Sequence, residues 1–367
     1  MDFNTAENFI INKQSLGIKP GLSRIEKLLR KMGNPQESLK IIHIAGTNGK
    51  GSVAAMIANA LQKNGFKTGL FTSPWVTEYR EQIQINGEFI PKSDFAEYVA
   101  AYKDADATEF ELLTAIMYKY FADKSVDYAV VECGMGGLED STNAFSHPEL
   151  AVITCVAMDH MNFLGKTLPE IAVQKAGIIK SNSVCVLYPN PKCEDVFENR
   201  CTETGSRLIK IADYGDFKLN NLKTAEAALD FLNVKIAPAL PKLPARTEML
   251  ASNVMVDGAH NENGANALEK SLPHKNITAV VGMMADKDYD SYLRIIAPHC
   301  KKIIATTPSN SRALPAERLA EAARKYCGDV CAVLNPEKAL QLARKDLEFL
   351  LVCGSFYLAR DLRKYLL

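Results

Sequence analysis

Residues 41–52 read IIHIAGTNGKGS and carry the densest chemistry in the chain. An apolar run leads into Gly46, Thr47, Asn48, Gly49, Lys50, Gly51 and Ser52, and VAAMIANALQKNG follows with helical spacing. Strand, glycine-rich turn and helix in that order let backbone N–H groups converge on phosphate oxygens, and the helix dipole adds to the attraction. Lys50 is expected on the β- and γ-phosphates of a nucleotide, and Ser52 on the accompanying magnesium. The spacing departs from the common phosphate loop, which keeps four residues between its glycines and a hydroxyl directly after the lysine. Here two residues separate Gly46 from Gly49, and Gly51 stands between Lys50 and Ser52.

Further candidates sit at the ends of other apolar runs. Glu132 closes VDYAVVE and is followed by CGMGG. A carboxylate at the C-terminal end of a strand beside a nucleotide site suits Mg2+. Such a Glu is also often merely solvated, but Gly134, Gly136 and Gly137 allow close ligand approach and favour the functional reading. Asp159 and His160 follow LAVITCVAM in the same topological place. Lys175 lies in LPEIAVQKAGIIK, a short helix ended by Gly177, where periodicity alone makes it a surface residue.

The elements that must position these residues alternate along the chain. Strand-like runs are expected at 40–45, 67–71, 126–132, 150–156, 253–257, 277–281, 302–305 and 347–353, with helical patterns between most of them. That alternation implies βαβ units and a mainly parallel sheet. QIQINGEFI at 82–90 suggests a hairpin around Asn-Gly. Thr108, Glu109, Phe110 and Glu111 form a capping box that opens a helix running to about Phe121. Pro238, Pro241 and Pro244 forbid a helix and favour an extended linker. The expected division is therefore a domain at 1–237 with an N-terminal helical segment, a proline-rich linker at 238–245, and a second domain at 246–367.

Composition narrows the class. The 367 residues include 43 Lys+Arg and 43 Asp+Glu, a balance that argues against a broad nucleic-acid or anionic-membrane footprint. No apolar run approaches the roughly 20 residues that span a bilayer, and MDFNTAENFIINKQ lacks the features of a signal peptide. Nine cysteines, none in a C-x-x-C pair and most within apolar runs, fit a reduced cytoplasmic protein and disfavour a zinc site.

Taken in order, AGTNGKGS, GLFTSPW, EQIQINGE, ECGMGGLEDSTN, MDH, KAGIIK, DGAHN and ADKD resemble the folylpolyglutamate synthase/dihydrofolate synthase family of the Mur-ligase superfamily. The resemblance runs from about residue 20 to the C-terminus. It implies an α/β fold: a P-loop-like, mainly parallel sheet domain followed by a smaller Rossmann-like α/β domain, with ATP between them. It implies two Mg2+ sites. Ser73 would help hold the first magnesium, together with Ser52 and Glu132, and His160 would ligate the second. Lys175 matches a lysine that is carbamylated by CO2 into a metal ligand, although Gln174 replaces the Glu that often precedes it. The pterin-bearing substrate would lie against 108–111 and against Glu139, Asp140 and Ser141, with Leu138 where the family has arginine. Trp75 replaces the usual His of the mobile loop, and either stacks on a substrate ring or anchors the loop.

In relatives, positions matching Arg246 and Asp257 meet nucleotide phosphate and ribose, and His260 lies in the same motif. A nucleotide-contacting Asn falls at Thr224 here. Arg312, in TPSNSRAL, either clamps a carboxylate bidentately or is a solvated loop residue. The implied reaction is ATP-dependent ligation of L-glutamate to dihydropteroate or a reduced folate by a monomer, through an acyl phosphate, with Lys50, Lys175 and His160 in catalytic roles. A superfamily ligase with another carboxylate acceptor is the first alternative, and a non-catalytic nucleotide-binding folate sensor the second. The sensor predicts loss of the lysine and metal set, which is instead present.

Overall fold

The computed structural model describes all residues except 18, 274–275 and 346–347. The chain forms two compact units: Met1–Pro74, Tyr79–Ala157 and Met161–Pro241 in the first, Trp75–Glu78, Met158–His160 and Lys242–Leu367 in the second. Two short segments that lie early in the sequence thus belong to the second unit. No helix or strand occurs between Phe231 and Glu248, the stretch that holds the three prolines.

The first unit is built on eight strands: β1 (Ile41–Ala45), β2 (Thr68–Phe71), β3 (Ile83–Ile85), β4 (Glu88–Phe89), β5 (Tyr128–Glu132), β6 (Leu150–Ile153), β7 (Val184–Leu187) and β8 (Arg207–Lys210). Their order is β4-β3-β2-β5-β1-β6-β7-β8. All neighbours pair in parallel except β2 with β3 and β3 with β4. β1 is buried along its whole length, as an uninterrupted apolar strand should be when helices cover both faces. One face packs Val53, Ile57 and Leu61 of the helix Lys50–Lys63 against Val130, Val152 and Leu229. The other packs Ile153 and Leu187 against Ile171, Ile178 and Phe197. The chain leaves β1 toward β2 on one side, while β6, β7 and β8 extend the other. The C-terminal end of β1 is therefore a topological switch point, where α/β sheets place ligands.

The second unit has β9 (Glu248–Ala251), β10 (Val254–Val256), β11 (Ile277–Val281), β12 (Cys300–Ala305), β13 (Val330–Ala332) and β14 (Phe349–Cys353), ordered β13-β12-β11-β14-β10-β9. Only the edge strand β9 is antiparallel to its neighbour. Two apolar layers cover the sheet, one around Tyr292, Leu293 and Leu319, the other around Leu340, Leu358 and Leu362.

The hairpin at 82–90 turns at Asn86 and Gly87, both with positive φ (51° and 80°), as the right-handed twist of its strands demands. The capping box at Thr108 opens the helix Glu109–Asp123. The strand expected at 150–156 stops at Ile153, because Cys155 turns to bond the phosphate loop and Val156 N–H donates to Asn190 Oδ1. Of the run at 347–353, Leu347 lies outside the described residues. β8, β9 and β13 were not among the expected runs. RLIK and EMLA are short, partly exposed and polar at alternate positions, so they lack the apolar signature of the central strands. Among the described residues no helix is long and apolar enough to cross a membrane.

Candidate active site

The helix Lys50–Lys63 starts at the C-terminal end of β1, one turn after Gly46. Gly49 stands at its N-cap with φ 90°, and a Cβ there would lie 2.6 Å from Asn221 Oδ1. Only glycine meets both conditions, and having no side chain it leaves the first turn uncapped. The first intrahelical bond runs from Val53 N–H to Gly49 C=O, so the amides of Lys50, Gly51 and Ser52 lie ahead of it. The preceding turn is fixed by other means. Thr47 and Asn48 N–H both donate to Cys155 C=O, and Thr47 Oγ1 exchanges bonds with Ala157 C=O and N–H. The result is a rigid loop aiming three amides and a lysine at one point, which suits a phosphate group.

Acidic and basic groups gather on this loop. Glu132, at the end of neighbouring β5, is buried. One of its oxygens is 3.8 Å from Lys50 Nζ and the other accepts Ser73 N–H at 3.2 Å. Lys175 is only 2% exposed and donates from Nζ to Gly46 C=O at 2.9 Å. The surface position that periodicity gave it is thus corrected. The helix Leu168–Ala176 packs Ile171, Ala172 and Ala176 on the sheet face, and the lysine near its end reaches the phosphate loop 129 residues away. Among the described residues no three His, Cys, Asp or Glu side chains form a metal cage by themselves. A single buried carboxylate beside a phosphate loop nevertheless fits Mg2+, which takes few protein ligands and completes its shell with phosphate and water.

The segments expected to meet the acceptor are also in the first unit. Thr108 and Glu111 form the reciprocal cap, and Arg24 pairs with both Glu111 oxygens at 3.0 and 3.3 Å. Glu111 therefore holds the helix start, and its carboxylate is already occupied there. Glu109 accepts from Tyr79 O–H; burial raises its carboxyl, and bonds from Tyr79 and Gln14 oppose that. Phe110 lies over Gly134, where a Cβ would come within 2.5 Å of its ring. Glu139 is exposed, and Ser141 opens a short 3-10 turn.

Asp140, expected to lie against the pterin-bearing substrate, is buried and turned into its own loop, accepting Met135 N–H (2.7 Å), Thr142 N–H (3.0 Å) and the Thr142 hydroxyl (2.5 Å). Burial raises its pKa, and these donors hold it down.

Thr224 is the second correction. It is fully buried in the helix Phe217–Phe231, and its hydroxyl donates to Asn220 C=O one turn earlier. It offers no surface to a nucleotide. The residue of this helix that reaches the phosphate loop is Asn221, against Gly49. The sequence carried that signal in the Asn-Asn pair just before KTAEAA.

A second cluster lies wholly within the second unit. Asp159 accepts from Lys287 Nζ (2.5 Å), Asn261 Nδ2 (3.0 Å) and His160 N–H (2.8 Å), with His260 Nε2 3.4 Å away. Burial works to raise this carboxyl, but His260, His160 and Lys287 together hold it well below the usual range. Lys287 Nζ is also 3.2 Å from His160 Nε2. The Nε2 side of His160, the residue expected to ligate a second magnesium, thus faces the Lys287 side chain. Lys287 and Asn261 were legible only as members of ADKD and DGAHN, with no role attached. Asp257 is buried, accepts Thr247 and Ala259 N–H at 2.6 and 2.7 Å, and has its carboxyl raised by burial against those bonds. Arg246 stacks on Phe356 at 4.6 Å, and His260 meets the same ring edge-on. Arg312 is exposed and donates to Tyr357 O–H. Trp75 carries the Arg360 guanidinium on its ring at 4.4 Å, so the structure gives it an anchoring contact.

A glycine turn suited to phosphate at the switch point of one parallel sheet, followed by a second α/β sheet unit, is the build of a nucleotide-using α/β enzyme. Residues 44–258 match the family model for the Mur ligase middle domain, and residues 245–356 match that for the Mur ligase, glutamate ligase domain. The chain is 33% identical to the folylpolyglutamate synthase of Lacticaseibacillus casei, over 94% of both proteins. It is 32% identical to a probable dihydrofolate synthetase of Schizosaccharomyces pombe, over 95% of this chain and 99% of that one. Its structure superposes on Escherichia coli FolC, solved with DHPP and ADP, with a TM-score of 0.89 and 25% identity over 100% of this chain and 97% of that one. The chain belongs to the folylpolyglutamate synthase/dihydrofolate synthase family of Mur ligases and is an ATP-dependent ligase.

Proposed function

We propose that this chain joins L-glutamate to dihydropteroate, to a reduced folate, or to both, driven by ATP and with magnesium. The observation that carries the reading is the convergence of Lys50, Glu132 and Lys175 on one uncapped helix start. A binding protein has no need of the buried lysine and carboxylate; a phosphoryl-transfer enzyme needs charge balance at that point.

A carboxylate oxygen of the acceptor bonds the γ-phosphorus of ATP as the bond to the β-phosphate's bridging oxygen breaks, giving an acyl phosphate and ADP. The uncharged amine of glutamate attacks its carbonyl carbon, phosphate departs, the nitrogen loses a proton, and an amide remains. Lys50 and the amides of residues 50–52 offset charge on the phosphates. Glu132, with the hydroxyls of Ser52 and Ser73, would hold Mg2+, which when bound neutralises charge on the transferring group. Arg246 and His260 are assigned to nucleotide contacts. Asp257 is assigned to ribose, with the oxygen capacity left after its two backbone bonds. Arg312 is assigned to a substrate carboxylate.

Lys175 is assigned as a carbamate in the working enzyme. Reaction of its neutral amine with CO2 gives a carbamate and a released proton, replacing a buried cation with a buried anion beside the loop. Under 13C-labelled bicarbonate the wild type should show a carbamate carbon resonance that Lys175→Met lacks, and its activity should fall when CO2 is stripped. A CO2-independent rate would remove the assignment.

Exposure of Leu138 (42%) where the family has arginine favours one second reading, a ligase for another carboxylate. Glutamate-dependent phosphate release with dihydropteroate, tetrahydrofolate and unrelated carboxylates separates the two. Stimulation by a pterin compound supports the folate reading, and stimulation only by a non-pterin acid sinks it.

A further inference from the structure

His43 lies in the middle of β1, fully buried, three residues before the phosphate loop, and the chemistry above makes no use of it. Its Nε2 is 2.8 Å from Thr142 Oγ1 and 3.1 Å from Cys133 Sγ. Its Nδ1 has no hydrogen-bond partner. Thr142 Oγ1 has one proton and lies 2.5 Å from Asp140 Oδ1, an acceptor when ionised. The hydroxyl therefore donates to Asp140 and must accept from His43, which fixes the ring as the Nε2–H tautomer with a bare Nδ1. Burial, aided by Lys180, lowers the pKa of His43 to about 3, so the ring is neutral at working pH. Tyr118 O–H donates to Thr142 C=O from the helix Glu109–Asp123. Asn143 Nδ2 bonds Leu138 C=O and Gly177 C=O. The segment from Met135 to Asn143 is thus bonded on every side, and His43 is its link to the strand that carries the phosphate loop.

We infer that His43 is a positioning residue for the acceptor: through Thr142 and Asp140 it fixes the 135–143 loop relative to β1, and so sets affinity for the acceptor without touching it. This rests on the folate reading proposed above, with the acceptor lying against 139–141 as the family resemblance implies. The chain His43 N–H to Thr142 O–H to Asp140 carboxylate is directional. A residue in place of His43 must therefore donate from the Nε2 position, which the amide of glutamine does and an apolar side chain does not.

The test combines steady-state kinetics with amide hydrogen exchange of the loop in His43→Leu, His43→Gln, Thr142→Val and Thr142→Ser. Removing one buried bond should raise the acceptor KM about tenfold in His43→Leu and Thr142→Val. The ATP KM should stay within about twofold, and exchange at 135–143 should quicken. The two donor-keeping variants, His43→Gln and Thr142→Ser, should recover most of the affinity. The double variant His43→Leu/Thr142→Val should be no worse than either single one, since both break one chain. Should His43→Leu fail to fold, the Thr142 pair, outside the sheet, gives the same contrast. Unchanged loop exchange, or equal rises in both KM values, overturns the inference. Faster loop exchange with an unchanged acceptor KM leaves the linkage intact and overturns the acceptor contact on which it rests.

Discussion

The phosphate loop at 46–52 and the loop at 134–143 follow adjacent strands, β1 and β5, and both are rich in glycine, yet they are finished in opposite ways. The first leaves its helix start uncapped and gathers Lys50, Lys175 and Glu132 around it. The second closes upon itself: Asp140 takes Met135 and Thr142, and Asn143 takes Leu138 and Gly177. A multiply charged group is held by donors left open for it, whereas a flat, mostly apolar one is held by shape, which requires a wall that does not move. Glu132, which closes β5, leans toward the first loop through Lys50, whereas Asp140, eight residues further on, turns back into its own loop.

The sharpest break of this comparison is at the open loop. Lys50→Ala and Glu132→Gln each remove a charge from the reaction point and should lower glutamate-dependent phosphate release about 10²- to 10³-fold or more. The thermal midpoint of Lys50→Ala should fall modestly, because the variant also loses the bond to Thr47 C=O (3.3 Å) and the cation 3.8 Å from buried Glu132. Activity near wild type in Glu132→Gln would take Glu132 out of the metal set.

At the closed loop the balance reverses, with stability suffering before chemistry. Asp140→Asn places an amide donor among the donors Met135 N–H, Thr142 N–H and the Thr142 hydroxyl. Leaving such buried groups unsatisfied costs about 1–3 kcal/mol. Denaturant unfolding should register that loss, while the ATP KM of the folded fraction stays put. A stable Asp140→Asn protein that has lost its acceptor would instead show that the carboxylate meets the substrate, as the residue pattern first suggested.

What could be read in advance follows the same division. AGTNGKGS was legible because strand, glycine turn and helix are consecutive, so local geometry determines where Gly49 and Lys50 point. The hairpin at Asn86-Gly87 and the cap at Thr108 were legible for the same reason. Lys175 was not, since its burial depends on a contact with Gly46 across 129 residues, and periodicity sees only a charged residue in a short helix. The inward turn of Asp140 was not read either, although D-S-T-N also spells an Asx-type turn, in which the side chain serves its own backbone. The cluster of Asp159 with Lys287 and Asn261 joins positions over 100 residues apart, and no single stretch advertises it.

A smaller effect concerns His43 and acid. The unfolded ring takes a proton near its ordinary value of 6.5, but burial delays protonation in the fold until about 3. Between those values the unfolded chain binds the extra proton, so the contribution of His43 is fully present above pH 6.5 and is lost as pH falls toward 3. His43→Gln, which cannot titrate, should flatten the dependence of unfolding free energy on pH within that window. A slope identical to wild type would mean that the ring is protonated, or solvated, in the fold.

The smallest expected effect distinguishes a residue of the open loop from one that only lies near it in sequence. Thr224 and Asn221 are one helical turn apart, yet Thr224 is fully buried with its hydroxyl on Asn220 C=O, while Asn221 lies against Gly49. A hydroxyl that bonds back to its own helix contributes little there, and valine has almost the same shape. Thr224→Val should therefore leave the ATP KM within about twofold and stability within about 1 kcal/mol. Asn221→Ala, by contrast, should raise the ATP KM several-fold, because it removes the wall against which the Gly49 turn is set. If Thr224→Val weakened ATP more than Asn221→Ala, this helix would have to present its inward face to the nucleotide, and the assignment of Asn221 to the open loop would fall.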